Sequence, residues 1–160
     1  MNKLTKDMGP GWITLVENDD HALCRLVYGD GQEIDCPEEE TPLLRRAFEQ
    51  IQEYWTGHRV IFTLPLAPGG SEFERNVWET IMLIPYGEHF DLPTLMAAHS
   101  LDCTEQNLAC VRKAVDDCPL PIFIPNHRVG DPEAEHDEDF NYPGGEDVKG
   151  ALMALEHPLD

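Results

Sequence analysis

Alternating apolar and polar positions near the N-terminus predict a small antiparallel sheet. Residues 11–17 (GWITLVE) and 21–28 (HALCRLVY) have the period of strands, and residues 18–20 (NDD) supply the turn between them. An Asp-Gly turn at 30–31 precedes a third predicted strand at residues 32–36.

The pattern then changes to the period of a helix. Thr41 suits the N-cap, Pro42 fits the first helical position, and Gly57 ends the helix. The apolar residues that recur at helical spacing are Leu44, Phe48, Ile51 and Trp55. A further strand is predicted at residues 59–64 (RVIFTL), which completes an α/β domain.

A segment rich in proline and glycine, residues 66–70 (LAPGG), predicts a boundary between two domains, residues 1–65 and 66–160. Beyond it, the capping box Ser71-x-x-Glu74 begins a helix. The predicted apolar face of this helix consists of Phe73, Val77, Trp78, Ile81 and Met82.

The remaining pattern predicts a mostly helical second domain. A short helix at residues 91–98 and another at 104–117 are closely connected, which is typical of a helix-turn-helix. Residues 121–125 (PIFIP) predict a short buried extended segment, and a last helix follows the glycine pair at 144–145. The predicted fold class is therefore an α/β N-terminal domain with a small antiparallel sheet, followed by a mostly α-helical C-terminal domain.

Composition narrows the class of protein. Hydrophobic residues make up 41% of the 160 residues, which is enough for a core. No apolar run approaches the roughly 18 residues that span a bilayer, and the first residues lack a signal-peptide core. We therefore expect a cytoplasmic protein that does not associate with membranes. The 5 cysteines form no C-x-x-C pair, so neither disulfides, nor a metal site, nor a cofactor is predicted.

Acidic residues dominate the charge. There are 31 Asp and Glu against 11 Lys and Arg, for a net charge of −20. The segment 131–139 carries acidic residues and no Lys or Arg. Because binding to DNA phosphates requires a basic surface, we expect weak or absent DNA binding at physiological salt. Adaptation to high salt is an alternative source of this acidity.

Three segments carry a resemblance to a known family: LPLAPGGSEFERNVWETIMLIPYGE at 64–88, PLPIFIPNHRV at 119–129 and YPGGEDVKGALMALE at 142–156. In order and spacing they are similar to the alkylguanine-DNA alkyltransferases, also called methylated-DNA–protein-cysteine methyltransferases. The resemblance implies a DNA-repair fold whose members flip a damaged guanine out of the duplex. A single alkyl group then passes from the O-6 position of that guanine to a cysteine thiolate.

The resemblance also implies which functional residues this chain retains. His127 matches the histidine that helps deprotonate the cysteine, and Glu156 matches the glutamate that orients this histidine. Tyr142, Gly144 and Gly145 match the segment that lines the guanine pocket.

Other family positions are changed. Asn126 stands where the family has its acceptor cysteine, and a carboxamide is not a nucleophile at neutral pH. Leu92 and Ala109 stand where a tyrosine and an arginine assist base flipping. Cys118 replaces an asparagine hinge.

These changes predict a catalytically inactive homologue, a pseudoenzyme that acts as a binding or regulatory protein, for which a protein partner is one option. Two alternatives stay open. One is a damaged-DNA-binding, alkyltransferase-like protein adapted to high salt. The other is a DNA-repair methyltransferase that uses Cys118 as a relocated nucleophile, with the S-methyltransferase reaction of the family.

Overall fold

The computed structural model describes residues 1–8, 11–102, 104–130 and 142–156. The chain divides into two compact units, Met1–Gly69 and Gly70–Asp160. This division falls a few residues after the boundary predicted between residues 65 and 66. The backbone explains the shift, because Leu23 N donates to Pro65 O (2.9 Å) and Ala67 N donates to Leu23 O (2.7 Å). These bonds attach the predicted linker to the first unit.

The first unit contains a three-stranded antiparallel sheet in the order β1-β2-β3. Its strands are β1 (Asn2–Asp7), β2 (Trp12–Glu17) and β3 (Leu23–Tyr28). The two strands predicted from alternation correspond to β2 and β3. Strand β1 was not predicted, because its polar sequence shows little apolar alternation and it forms only by pairing with β2.

Two predicted strands are wrong. Residues 32–36 form turns, in which Ile34 N donates to Gly31 O (3.0 Å) and Lys3 Nζ donates to the same carbonyl (2.9 Å). Residues 59–64 form no strand either. The buried Gln50 side chain accepts from Thr63 N (3.0 Å) and donates to Thr63 Oγ1 (2.9 Å), so a side chain takes the place of a neighbouring strand.

The first helix is confirmed where it was predicted, as α1 (Pro42–Trp55). Thr41 Oγ1 accepts a hydrogen bond from Leu44 N (3.1 Å), which satisfies one of the free amides of the first turn. One face of α1 is buried and includes Leu44, Phe48 and Ile51.

The second unit is helical, as the sequence predicts. Its elements are α2 (Glu72–Ile81), α3 (Leu92–Ala98), α4 (Glu105–Asp116), the 3-10 turn Asn126–Arg128 and α5 (Glu146–Glu156). Ser71 and Glu74 form the expected reciprocal capping box at α2. Of the apolar positions predicted for α2, Val77, Trp78 and Ile81 are buried, whereas Phe73 and Met82, the residue after the helix, are exposed.

Helices α3 and α4 pack together with the outline of a helix-turn-helix, and α2 packs against both. Trp78 fixes α2 to α4 through a hydrogen bond from its Nε1 to Ala114 O (2.8 Å).

The acidic segment 131–139 lies outside the described residues. Among the helices that the structure describes, none is long and apolar enough to cross a membrane.

Candidate active site

A tight buried turn places the candidate site residues. The segment 121–125 is buried as predicted, but the prediction of an extended conformation is wrong. Ile124 N donates to Leu120 O (2.9 Å), and Ile122 has a φ of +75°. A β-branched residue rarely adopts this left-handed conformation, so the surrounding core must impose it. The chain therefore turns directly into the 3-10 turn, and Asn126 does not follow a strand.

The most strongly bonded group near this turn is the carboxylate of Glu156, at the end of α5. Arg128 binds it with two hydrogen bonds, from Nε to Oε1 (2.7 Å) and from Nη2 to Oε2 (2.9 Å). Arg128 Nη1 also donates to Ile84 O (2.8 Å). Both charged side chains are almost completely buried, so the pair links the 3-10 turn, α5 and the loop that follows α2.

His127 completes this cluster. Its Nε2 lies 2.8 Å from Glu156 Oε2, and the imidazole is 1% exposed. Because a carboxylate can only accept, His127 Nε2 carries the proton of this bond. Burial lowers the pKa of His127 below its ordinary value, although the hydrogen bond to Glu156 acts in the opposite direction. The structure thus brings together the two residues that the sequence predicted as a relay.

This pKa gives a testable pH dependence. The folded-state pKa of His127 is lowered, so the unfolded chain binds an extra proton between the folded pKa and about 6.5. We expect its contribution to the free energy of unfolding to be lost as the pH falls below about 6.5, by up to about 1.4 kcal/mol per pH unit. Urea unfolding at several pH values should show a weaker slope for His127→Gln. The exposed His58→Gln is the control, and equal slopes for His127→Gln and the wild type would contradict the assignment.

Asn126 is buried, with 3% of its surface exposed. Its Nδ2 donates to Val115 O (3.2 Å) in the last turn of α4. The backbone amide of Cys118 also approaches this carbonyl, at 3.4 Å. The Asn126 side chain therefore caps α4 from a distant part of the chain and joins it to the 3-10 turn.

Cys118 is also buried, at 4% exposure, and burial raises the pKa of its thiol to about 12. At neutral pH this thiol stays protonated, whereas nucleophilic attack requires the thiolate. The environment of Cys118 is that of a cysteine packed as a small apolar side chain.

The other predicted positions are spread over the second unit. Leu92, in the first turn of α3, is buried, whereas Ala109 is exposed on α4. Tyr142 is buried. Gly144 is half-buried, and the exposed Gly145 has a φ of +87°, a conformation that favours glycine, just before α5.

Sequence reasoning missed the importance of Arg128. It lies within the quoted PNHRV motif, but only the residues beside it were assigned roles. Gly87 was missed too: its N donates to Glu156 Oε1 (3.3 Å), and its φ of +84° favours glycine. A basic residue in an otherwise apolar, buried segment of so acidic a chain was the available signal for Arg128.

This site lies in a chain whose similarities identify its class as the DNA-repair alkyltransferases. Residues 8–68 match the family described as 6-O-methylguanine DNA methyltransferase, ribonuclease-like domain. The constitutive methylated-DNA–protein-cysteine methyltransferase of Bacillus subtilis is 32% identical over 136 residues, which are 81% of this chain and 81% of that protein. The Methanosarcina acetivorans protein of the same name is 30% identical over 146 residues, 89% of this chain and 90% of that one.

Solved structures agree in fold. The Mycobacterium tuberculosis O6-methylguanine methyltransferase has a TM-score of 0.83 at 24% identity, covering 99% of this chain and 96% of that one. The M. tuberculosis OGT in complex with DNA also has a TM-score of 0.83 at 24% identity, covering 98% and 92%. The chain belongs to the methylated-DNA–protein-cysteine methyltransferase family.

Proposed function

We propose that this chain is a family member that no longer transfers alkyl groups and acts instead as a binding or regulatory protein. The observation that carries the proposal is Asn126, a buried carboxamide next to the His127–Glu156 pair. In the motif of the family, a cysteine stands at this position. An amide is neutral and non-nucleophilic, so position 126 itself offers no covalent acceptor.

The environment of Cys118 supports this proposal over the relocated nucleophile. Its thiol is buried, its pKa is raised to about 12, and its position is fixed at the end of α4. Cys110, which lies on α4, is exposed. Cys118 therefore lacks the exposure and the lowered pKa that are typical of reactive cysteines.

Intact-protein mass spectrometry tests the loss of transfer. After incubation with O6-benzylguanine or with a duplex that contains O6-methylguanine, we expect no increase in the mass of this protein. The constitutive B. subtilis relative, treated in parallel, is the positive control. A stoichiometric increase in mass, mapped to Cys118 or Cys110 by peptide analysis, would show that the protein is an active transferase.

The variant Asn126→Cys tests how much of the machinery is lost elsewhere. We expect this thiol to restore little activity toward a methylated duplex, because the family's flipping residues are replaced by the buried Leu92 and the small, exposed Ala109. Unstacking a base costs a few kcal/mol, and without these residues less of that cost is offset. Single-turnover rates on duplex and on free O6-benzylguanine provide the measurement. A rate on duplex comparable to that of the B. subtilis relative would refute a role for positions 92 and 109.

A second candidate function is recognition of damaged DNA without repair in a high-salt environment. It is favoured by one similar solved structure, which is a complex with DNA, and by the net charge of −20. High salt screens repulsion between an acidic surface and phosphates, because the Debye length falls to about 3 Å at 1 M. A protein partner is the option that remains if DNA binds at neither low nor high salt.

A further inference from the structure

The orientation of the Asn126 amide is fixed by one bond. Val115 O can only accept, so the group that faces it at 3.2 Å must be the amide nitrogen Nδ2. The oxygen Oδ1 therefore points the other way. It is buried, and nothing in segments 1–8, 11–102, 104–130 and 142–156 donates a hydrogen bond to it. A buried acceptor that receives no hydrogen bond costs free energy, so a ligand that supplies a donor would be favoured there.

The neighbouring acceptor in this part of the fold is already used. Glu156 Oε1 accepts from Arg128 Nε and from Gly87 N, and Oε2 accepts from Arg128 Nη2 and His127 Nε2. Four donors satisfy the usual capacity of a carboxylate. Asn126 Oδ1, unlike the Glu156 carboxylate, therefore has capacity for a donor from a ligand.

The chemistry of the family indicates which group of a ligand would lie against this acceptor. The matched family is named for 6-O-methylguanine, and its named relatives transfer a methyl group from methylated DNA to a cysteine. A residue at the acceptor position must therefore lie opposite the substituent at position 6 of a bound purine. If the proposed loss of the cysteine is correct, that residue is Asn126.

We propose, on the basis of this proposed function, that Asn126 makes the site selective for a purine with an amino group at position 6. The 6-amino group of an adenine-type base donates to Oδ1 and satisfies it. The 6-oxygen of guanine and of O6-methylguanine is an acceptor, so it would face another acceptor and leave Oδ1 without a donor. In DNA major-groove recognition, asparagine likewise accepts from the 6-amino group of adenine through its amide oxygen, in addition to a bond from its nitrogen to N7.

A series of free nucleosides tests this selectivity without any change to the protein. The series contains 2′-deoxyadenosine, purine 2′-deoxyriboside, 2′-deoxyguanosine and O6-methyl-2′-deoxyguanosine. Purine 2′-deoxyriboside differs from deoxyadenosine only by lacking the 6-amino group. Dissociation constants come from ligand-observed NMR titrations, which detect millimolar affinities. We expect deoxyadenosine to bind about tenfold more tightly than each of the others, the effect of about one hydrogen bond.

A pair of variants then assigns the preference to Asn126. Asn126→Ala removes the acceptor, and we expect the ratio between deoxyadenosine and purine deoxyriboside to fall below about threefold. Cys110→Ala, an exposed change on α4, should leave the ratio as in the wild type. If circular dichroism shows that Asn126→Ala is unfolded, the wild-type series alone decides.

Equal affinities across the series, a preference for O6-methyldeoxyguanosine, or no binding of any nucleoside would overturn the inference. These outcomes are distinct from failure of the proposed function. Loss of the adenine preference without any alkyl adduct would leave the loss of transfer intact. An alkyl adduct on this protein would overturn the proposed function whatever the nucleosides show.

Discussion

Replacing Arg128 with methionine is expected to destabilise the protein by about 3–5 kcal/mol, because it leaves the buried carboxylate of Glu156 without its counter-ion. Arg128 provides two of the hydrogen bonds to that carboxylate and a third to Ile84 O. Methionine keeps most of the length and the apolar part of the side chain, so the loss reports mainly on charge and hydrogen bonding. Urea unfolding at neutral pH, followed by circular dichroism, measures the effect.

Two further variants test whether the loss of stability comes from the uncompensated buried charge. Lys113→Met breaks an exposed ion pair with Asp117 and should leave the unfolding midpoint close to that of the wild type. The double variant Arg128→Met/Glu156→Leu should recover part of the loss, because it removes the uncompensated charge. A loss below about 1 kcal/mol for Arg128→Met would mean that the pair is not a main support of the site.

Duplex DNA is expected to bind with a dissociation constant of about 100 µM or weaker at physiological salt, with no preference for O6-methylguanine. The helix-turn-helix segment 101–118 carries four acidic residues and two basic ones, a net charge of −2. One of the basic residues, Lys113, is already paired with Asp117 at 2.7 Å. Phosphates would therefore meet like charges where counterion release normally drives association.

Fluorescence anisotropy on matched damaged and undamaged duplexes, at low and at molar salt, measures this affinity. The variant Ala109→Arg should tighten binding, because it adds a cation at the exposed position where the family has an arginine. Gln106→Arg adds the same charge to the same helix and serves as the matched control. Submicromolar, damage-selective binding by the wild type at low salt would contradict the expectation. The same binding only in molar salt would favour the high-salt candidate function.

The elements that were predicted correctly are those whose determinants are local. Helix α1 is set by Thr41, whose hydroxyl caps the amide of Leu44, and by apolar residues at helical spacing. The capping box of α2 is equally local, because Ser71 and Glu74 exchange hydrogen bonds across one turn. Such bonds depend on residues three or four positions apart, which the sequence displays directly.

Pairing between distant segments was not predicted from the sequence. Strand β1 exists because residues 2–7 pair with β2, although its own composition is polar. Residues 59–64 have the composition of a strand, but the side chain of Gln50 takes the hydrogen bonds of Thr63. Strand formation depends on the neighbour that is available, and one sequence alone does not show that neighbour.

For the site, the sequence by itself determined which groups are present: a carboxamide at position 126, the histidine after it and the glutamate that ends α5. Only the tertiary structure decided which hydrogen bonds these groups form and how deeply they are buried. It made Arg128 the main partner of Glu156, and it turned the Asn126 nitrogen toward Val115 O. It also buried Cys118, which raises the pKa of the thiol. Hydrogen-bond partners and desolvation depend on which segments fold against each other, so they arise only when the chain has packed.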